Sequence, residues 1–486
     1  MAPQDVLDEF FRYVQNDIPL RLISTVEMTL VDRLAVQDYY LPAIEEITEA
    51  TLANRVSSAT DREDVVKQII QDIVKYAVLS HRWLPRGEPL FHDLINGIPD
   101  IPGRGKLERY CRLTRQKGLA FAWSDTCCIN KSSSAELDEA LRSMFRWYRN
   151  ATLCLVYLSQ TNDLSDVEAD EWFTRGWTLQ ELLAPPVAKF YNKDWEPLGE
   201  QENDKEDELI VKHLVNATKC PKHALRNFLP GPHDVDRRMS WAANRRTTKV
   251  EDMAYSLMGI FGVVLQPAYG EGAEQSFSRL VQMIMQSRGS TSVLNWVGKA
   301  AVSFNSFALP SSPRCYIGDG GFNTERRIEM GMTSRGLRLP LILLPVRVET
   351  LCSLNSTVVQ AKMEFADAQF RSMCQHVTIS ANVLGRHPPK EEDWALGVFN
   401  YMPPDGNRMT GLPGLRRWSV GYLLWRPRDT NQNPADALDG MTVRDDLRFY
   451  GWKKLSTQTF VYFTLPHIKK GEVMIVKEHL LETVYL

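Results

Sequence analysis

Short apolar runs alternate with segments of helical spacing through the first two hundred residues. Four runs have the composition of buried strands: KYAVLS (75–80), LAFAWSD (119–125), TLCLVYLS (152–159) and VAKFYN (187–192). Between them, KLERYCRLTRQKG (106–118) and SSAELDEALRSMFRWYRNA (133–151) repeat apolar residues with the period of a helix. Apolar strands separated by helices are typical of a parallel sheet covered on both faces. We therefore expect an α/β domain.

The pattern changes on either side of these strands. An amphipathic helix is predicted over 1–18, and PLRLIST (19–25) predicts a strand that opens an α/β domain spanning 19–200. A charged, helix-prone insert occupies about 26–72 of that domain. A period of 3.6 predicts a helical extension over 201–288. From 289 to 486, short apolar runs alternate with Gly, Pro, Asn and Asp turns, which predicts an antiparallel β-rich domain.

Composition and charge narrow the classes of function. The 486 residues carry a formal net charge of −3, spread along the chain, which gives no electrostatic footprint for nucleic acid or an anionic membrane. The most apolar run, LPLILLPV (339–346), is far shorter than the roughly 20 residues of a membrane span. Eight irregularly spaced cysteines without a secretory signal indicate free thiols in a reducing compartment. We expect a soluble cytoplasmic protein.

Several familiar catalytic motifs are absent from the sequence. It contains no G-x-x-x-x-G-K-[ST], no H-E-x-x-H and no C-x-x-C, so we expect neither a bound cofactor nor a metal site. PGRGKLERY (102–110) has two glycines of a dinucleotide-binding pattern but no clear strand before it, which predicts a loop. The adjacent Cys127 and Cys128 suit a redox or nucleophilic role less well than burial as small hydrophobic side chains.

Polar residues gather where three predicted strands end. Parallel α/β sheets bind ligands at the carboxyl ends of their strands, so these residues are candidates for a binding site. They are Ser80, His81, Arg82 and Trp83 after one strand, Asp125 after the next and Ser159 after a third. Ser80 and His81 are the types of a nucleophile and its base, but neighbours on an extended chain point to opposite faces. A serine hydrolase is therefore disfavoured.

The segment WFTRGWTLQELLAPP (172–186) places aromatic side chains around one carboxylate. Trp177 and Glu181 are four residues apart and share a face of a helix. A carboxylate held against an indole in a cleft is partly desolvated and positioned, as in many catalytic sites. The plainer interpretation makes Trp172, Phe173 and Trp177 core residues and Glu181 a solvated or capping acid. Spacing alone favours the plainer interpretation.

Long blocks of the sequence, taken in order, resemble the fungal heterokaryon-incompatibility (HET) domain. They are YAVLSHRW (76–83), FAWSDTCCINKSSSAELDEALRSMFRWYRNATLCLVYLS (121–159) and EWFTRGWTLQELLAP (171–185). A further block, RMSWAANRRTTKVEDMAYSLMGIFGVVLQPAYGEG (238–272), resembles the segment after that domain in many fungal members. The resemblance covers roughly 19–290. The insert at 26–72 departs from it, because this stretch is far longer than is usual in the family.

The resemblance implies a role in non-self recognition and programmed cell death after incompatible fungal cells fuse. HET domains are considered similar to Toll/interleukin-1 receptor (TIR) domains, which have a flavodoxin-like, doubly wound parallel sheet. Some TIR domains cleave NAD at the nicotinamide–ribose bond, using a glutamate in a W-x-x-x-E setting. The corresponding positions here are Trp177 and Glu181. NAD is then a candidate substrate and Glu181 the candidate catalytic residue.

The same resemblance implies substrate-binding roles at the strand ends. Arg82 or Arg175 would bind the pyrophosphate, ideally in a bidentate manner. Ser80, His81, Trp83, Asp125 and Trp177 would line the site, with Trp83 stacking on a base. In the plainer alternatives, Arg175 pairs with Glu171 on the surface and Asp125 caps the following turn.

Two rival functions stay open at this level. The first is a non-enzymatic signalling module that acts through homotypic contacts, with Trp172 and Trp177 as interface anchors. The second is an enzyme of another class on the same fold, using residues such as Ser80, His81, Asp125 and Cys127. A homo-oligomer or a partner incompatibility protein is the expected macromolecular partner.

Overall fold

A computed structural model describes most of the chain and divides it into two compact units. The described residues are 2–55, 61–288, 290–296, 298–301, 309–316, 328–334, 336–351, 359–366, 377–381, 392–402, 412–416, 418–427, 453–454, 461–464 and 473–486. The first unit combines Met1–Gly231 with Asn244–Gly270. The second combines Pro232–Ala243 with Glu271–Leu486. The chain therefore passes between the two units three times.

Helices and strands are numbered along the described residues. The α-helices are α1 (Gln4–Asn16), α2 (Arg33–Glu45), α3 (Glu49–Ala53), α4 (Arg62–Ile73), α5 (Phe91–Asn96), α6 (Pro102–Gln116), α7 (Ser134–Asn150), α8 (Thr178–Leu183), α9 (Glu208–Thr218), α10 (Lys222–Arg226), α11 (Val235–Ala242), α12 (Asp252–Tyr255), α13 (Met258–Phe261) and α14 (Ala273–Arg288). The strands are β1 (Arg21–Ser24), β2 (Leu30–Asp32), β3 (Ala77–His81), β4 (Phe121–Trp123), β5 (Leu153–Tyr157), β6 (Ala188–Tyr191), β7 (Gly331–Thr333), β8 (Gly336–Leu351), β9 (Val359–Phe365), β10 (Val377–Ala381), β11 (Glu392–Val398), β12 (Gly414–Arg416), β13 (Trp418–Pro427), β14 (Lys453–Lys454), β15 (Val461–Thr464), β16 (Val473–Ile475) and β17 (Leu481–Tyr485).

A six-stranded sheet forms the centre of the first unit, in the order β2-β1-β4-β3-β5-β6. β4, β3, β5 and β6 are parallel to one another, as predicted. β1 pairs antiparallel with β4, and β2 pairs antiparallel with β1, so the sheet is mixed rather than wholly parallel. Parallel neighbours require long crossovers, and α6, α7 and α8 lie in these connections, whereas β1 and β2 are close enough in sequence for a hairpin.

Two predictions near this sheet are corrected by the structure. The insert over about 26–72 begins with β2 before its helices α2, α3 and α4, so it is not wholly helical. The PGRG segment is the first turn of α6 rather than a loop. Pro102 suits that position because a helix start leaves its N–H groups without intrahelical partners. A Cβ at Gly103 would meet the carbonyl oxygen of Gly87 at 2.6 Å, so this glycine lets the chain after β3 lie directly on α6.

Aromatic packing joins α7 to the sheet of the first unit. The Ser133 side chain caps α7 by accepting from the backbone N–H of Glu136. Trp147 lies edge-on to Trp123 of β4, with ring centroids 5.7 Å apart. The Tyr148 hydroxyl donates to the carbonyl of Leu79 in β3, at 2.8 Å. These contacts fix the carboxyl-terminal halves of β3 and β4, where the candidate residues lie.

The second unit is built on antiparallel strands, which confirms the prediction for the carboxyl-terminal region. Its main sheet runs β10-β9-β8-β11-β13-β14, with β15 paired to β13 and both β7 and β17 paired to β8. β12 and β16 pair separately. Ile342, Leu344, Leu396 and Val398 lie in its hydrophobic core, and α11 and α14 belong to the same unit. Among the described residues of the whole chain, no helix is both long and apolar enough to cross a membrane.

Candidate functional site at the carboxyl edge of the first sheet

The order of the parallel strands creates a switch point in the first unit. The chain leaves β3 for β4 on one side of it, and then crosses to β5 on its other side. Open α/β sheets bind ligands where the connections diverge in this way, outside the carboxyl ends of the strands. Ser80 and His81 are the last two residues of β3, and Asp125 lies just beyond β4.

Glu181 lies on α8 and is buried against β3, with 7% of its surface exposed. The Ser80 hydroxyl donates to its Oε2 at 2.5 Å, and Trp172 Nε1 donates to the same hydroxyl at 2.9 Å. Burial raises the pKa of Glu181 to about 8, with the charge of Asp125 adding to the rise and Ser80 and Arg175 opposing it. Glu181 is therefore mainly protonated at pH 7.

Asp125 is a second carboxylate, in very different surroundings. Its side chain is 22% exposed and accepts from His81 Nε2 at 3.3 Å and from Trp83 Nε1 at 2.9 Å. Burial favours its neutral form, but the His81 hydrogen bond and the charges of Lys131 and Arg175 outweigh burial and lower the pKa of Asp125 to about 2. Asp125 is ionised at pH 7, and it links two side chains rather than capping a turn alone.

His81 is buried between the two strand ends and is neutral. Burial and the charge of Lys106 lower its pKa below the ordinary value. Because the ionised Asp125 can only accept, we place the imidazole proton on Nε2, which leaves Nδ1 as an acceptor. Nδ1 is buried and has no hydrogen-bond partner in the described part of the chain. Ser80 and His81 thus form hydrogen bonds with different carboxyl groups, as expected for neighbours on a strand.

A buried ion pair supports the segment that follows β3. Lys106 of α6 pairs with Glu88, and its ammonium also donates to the carbonyl of Arg82 at 3.2 Å. Glu88 accepts in addition from the backbone N–H of Leu84, at 2.7 Å. The segment that carries Arg82 and Trp83 is therefore held on α6 at several points.

The two candidate arginines differ in their partners. Arg82 forms an ion pair with Glu171, the residue that the plainer interpretation had assigned to Arg175. Across the residues that the structure describes, the Arg175 guanidinium has no hydrogen bond and no ion pair. Its charge nevertheless acts to lower the pKa values of Asp125 and Glu181, so it contributes positive charge around both carboxyl groups. Within the described part of this site, Arg175 is therefore a cation that is free to bind an anion.

The three tryptophans of this region differ in the groups that they contact. Trp172 is fully buried, which excludes it as a surface interface anchor, and its indole is the one linked to Glu181 through Ser80. The Trp177 indole donates instead to Asp252 Oδ2 at 3.0 Å. The Lys131 ammonium lies 3.7 Å from the centre of the Trp83 ring, so one face of that indole is already covered. Stacking of a base on Trp83 would have to use its other face.

Residues 244–252 contribute to the site and were not predicted from the sequence. The backbone of Arg246 exchanges hydrogen bonds with Thr174 at 2.7 Å and Gly176 at 2.8 Å. The buried Arg245 donates to the carbonyl of Arg175 at 2.8 Å and to Thr178 Oγ1 at 2.9 Å. The block NRRTTKVED was visible in the sequence, but nothing in its spacing indicated that it pairs with the residues before α8.

Polar strand ends at a switch point define the first unit as an α/β domain with a candidate small-molecule site. Residues 76–167 match the family model described as Heterokaryon incompatibility protein (HET). Over 230 residues, or 45% of this chain, the sequence is 40% identical to the Vegetative incompatibility protein HET-E-1 of Podospora anserina, and the match spans 16% of that relative's length. No solved structure matches the chain. Residues 76–167 of this chain are therefore similar to the HET domain.

Proposed function

We propose that this protein acts in heterokaryon incompatibility, and that its first unit is a TIR-like domain that hydrolyses NAD at the nicotinamide–ribose bond. The HET domain and the relative described above support the role. The strand order at the switch point is that of flavodoxin-like sheets, which supports the fold relationship. The cytoplasm is the proposed site of action, since each described cysteine is a free thiol.

One observation carries the proposed reaction: an arginine without a partner among the described residues lies near two carboxyl groups in opposite protonation states. Arg175 offers a bidentate site for one phosphate of a dinucleotide. Their surroundings keep Asp125 ionised and Glu181 neutral. Such a pair of carboxyl groups is found in catalytic sites where one group acts as an acid and the other as a base. Arg175 is partly exposed, so its guanidinium is accessible to an anionic ligand from solvent.

The residues suggest how the substrate is held and activated. Loss of nicotinamide leaves an oxocarbenium-like ribose, whose charge is stabilised by nearby negative groups. The neutral Glu181 is suited to hydrogen-bond the ribose hydroxyls, because its carboxyl group both donates and accepts. Arg175 would hold the pyrophosphate, and His81, Trp83 and Asp125 would line the entrance. Trp177 and Asp252 would support the start of α8.

Nicotinamide release by the purified full chain tests this function. We expect turnover of NAD at high protein concentration, and a loss of about 10²-fold in Glu181→Ala, because a positioned hydrogen bond is removed. Glu46→Ala is the matched control, since Glu46 is an exposed acid at the end of α2. Far-ultraviolet circular dichroism would verify that each variant is folded. No release by the wild type, or equal release by Glu181→Ala, would contradict the proposed reaction.

A further inference from the structure

The two carboxyl groups of the site differ in access and in the donors that they face. Asp125 is partly exposed and is contacted by two N–H donors, from His81 and Trp83. Glu181 is buried and is contacted by one hydroxyl, that of Ser80. A substrate that enters from solvent therefore meets Asp125 first.

The charges around the two groups reinforce this difference. Asp125 faces His81 of β3, Lys131 and Arg175. Glu181 faces Asp125 together with Arg175 and Arg245, and it is enclosed by Ser80 and α8. N–H donors and nearby cations hold a carboxylate in its charged form, whereas enclosure without a paired cation favours the neutral acid. Negative charge in the site is thus concentrated on Asp125.

We infer that Asp125, and not Glu181, is the carboxylate whose negative charge stabilises the ribosyl cation during NAD cleavage. The inference deepens the proposed function and rests on it. His81 and Trp83 then act as positioning residues, because their N–H groups hold the Asp125 carboxylate at the strand end. Glu181 contributes as a neutral hydrogen-bonding group.

The step balances with water as the only co-reactant. The bond between ribose C1′ and the nicotinamide nitrogen breaks, and its electron pair passes to the nicotinamide ring, which becomes neutral. The cation left at C1′ lies against the Asp125 carboxylate. A water oxygen then bonds to C1′ and loses one proton, which Asp125 accepts and returns to solvent. The products are nicotinamide, ADP-ribose and one proton.

Steady-state kinetics on full-length variants test the assignment. For Asp125→Asn we expect kcat to fall by about 10²–10³-fold with KM changed only a few-fold, because the lost charge acts in the transition state. For Glu181→Gln we expect a fall of about tenfold, since the amide keeps a donor and an acceptor. Asp100→Asn is the matched control, because Asp100 is an exposed aspartate before α6. Added formate should restore part of the turnover of Asp125→Ala.

The pH profile of the wild type gives a second readout, with Glu181→Gln as its comparison. If Glu181 works as the neutral acid, activity falls as pH rises through about 8, and the fall is absent in Glu181→Gln. Activity that rises through this range would make Glu181 the anion and overturn the inference.

The remaining outcomes separate this inference from the proposed function. An active wild type with Asp125→Asn within threefold of it would overturn the inference and leave the NAD reaction standing. A wild type that releases no nicotinamide would contradict both the proposed NAD reaction and the role of Asp125 in it.

Discussion

Two ionic clusters lie within the first unit, one fully buried and one partly exposed, and they differ in how completely their groups are paired. In the first, the Lys189 ammonium of β6 donates to the carbonyls of Gly199 and Gln201, both at 2.6 Å, and to Asp204 Oδ1 at 2.8 Å. Asp204 Oδ2 accepts from the backbone of Phe190 at 2.7 Å. All three donors of the ammonium therefore have acceptors.

The cluster at the carboxyl edge of the sheet is incomplete by comparison. Arg175 has no ion pair among the described residues, and His81 Nδ1 has no hydrogen-bond partner there. Buried polar groups are nearly always paired in folded proteins, so the buried His81 Nδ1 calls for a partner from outside the chain, and the partly exposed Arg175 is accessible to an anionic one. The complete cluster stabilises the fold, and the incomplete one is where a ligand is expected.

The largest expected effect comes from breaking the complete cluster. Lys189→Met leaves the Asp204 carboxylate buried without its cation, and we expect the free energy of unfolding to fall by about 3–5 kcal/mol. Urea denaturation of the full chain would measure this change. Lys117→Met is the matched control, because its exposed ion pair with Glu202 should contribute less than about 1 kcal/mol. If the free energy of unfolding fell equally in the two variants, the buried ion pair would contribute no more to stability than the exposed one, which would contradict the prediction.

A second prediction concerns how stability depends on pH at the incomplete cluster. The unfolded chain ionises Glu181 above about 4.5, whereas the folded chain keeps it protonated up to about 8. Unfolding therefore releases a proton between these pH values, and the stability contributed by the neutral form is lost as pH rises. The free energy of unfolding of Glu181→Gln should therefore rise relative to that of the wild type, by about 2–4 kcal/mol, between pH 4 and pH 8. Parallel stability curves would mean that Glu181 is ionised in the folded protein.

The smallest expected effect on stability is that of Arg175→Ala. Since the guanidinium has no ion pair in the described part of the chain, its removal should change the free energy of unfolding by about 0.5 kcal/mol or less. The same denaturation experiment applies. A loss close to that of Lys189→Met would show that Arg175 stabilises the fold and is not reserved for a ligand.

Much of the sheet could be predicted from the sequence, because apolar runs and helical spacing are patterns among residues that are close together in the chain. The rule that ligand sites lie at the carboxyl ends of parallel strands also placed Ser80, His81 and Asp125 at one edge from the sequence alone. Alternation along β3 predicted that Ser80 and His81 would diverge, and they contact different carboxyl groups.

The partners of these residues were not predictable, because they come from distant segments. Spacing of four suggested Trp177 as the indole beside Glu181, yet the indole linked to it through Ser80 is that of Trp172. Periodicity gives the relative angle of two side chains on a helix, but not the side of the helix that meets the sheet. Arg245 lies 70 residues from Arg175, and no local pattern reveals a contact at that separation.

Calorimetric titration of NAD into the full chain and its Arg175→Ala variant tests the central claim most directly. Hydrogen bonds to charged groups contribute about 1.5–3 kcal/mol, so the wild type should bind NAD at least about tenfold more tightly than the variant. Arg104→Ala, which removes an exposed arginine paired with Glu108, should bind as the wild type does. Binding by the wild type that Arg175→Ala leaves unchanged, or no binding at all, would contradict the assignment of this cluster as a ligand site.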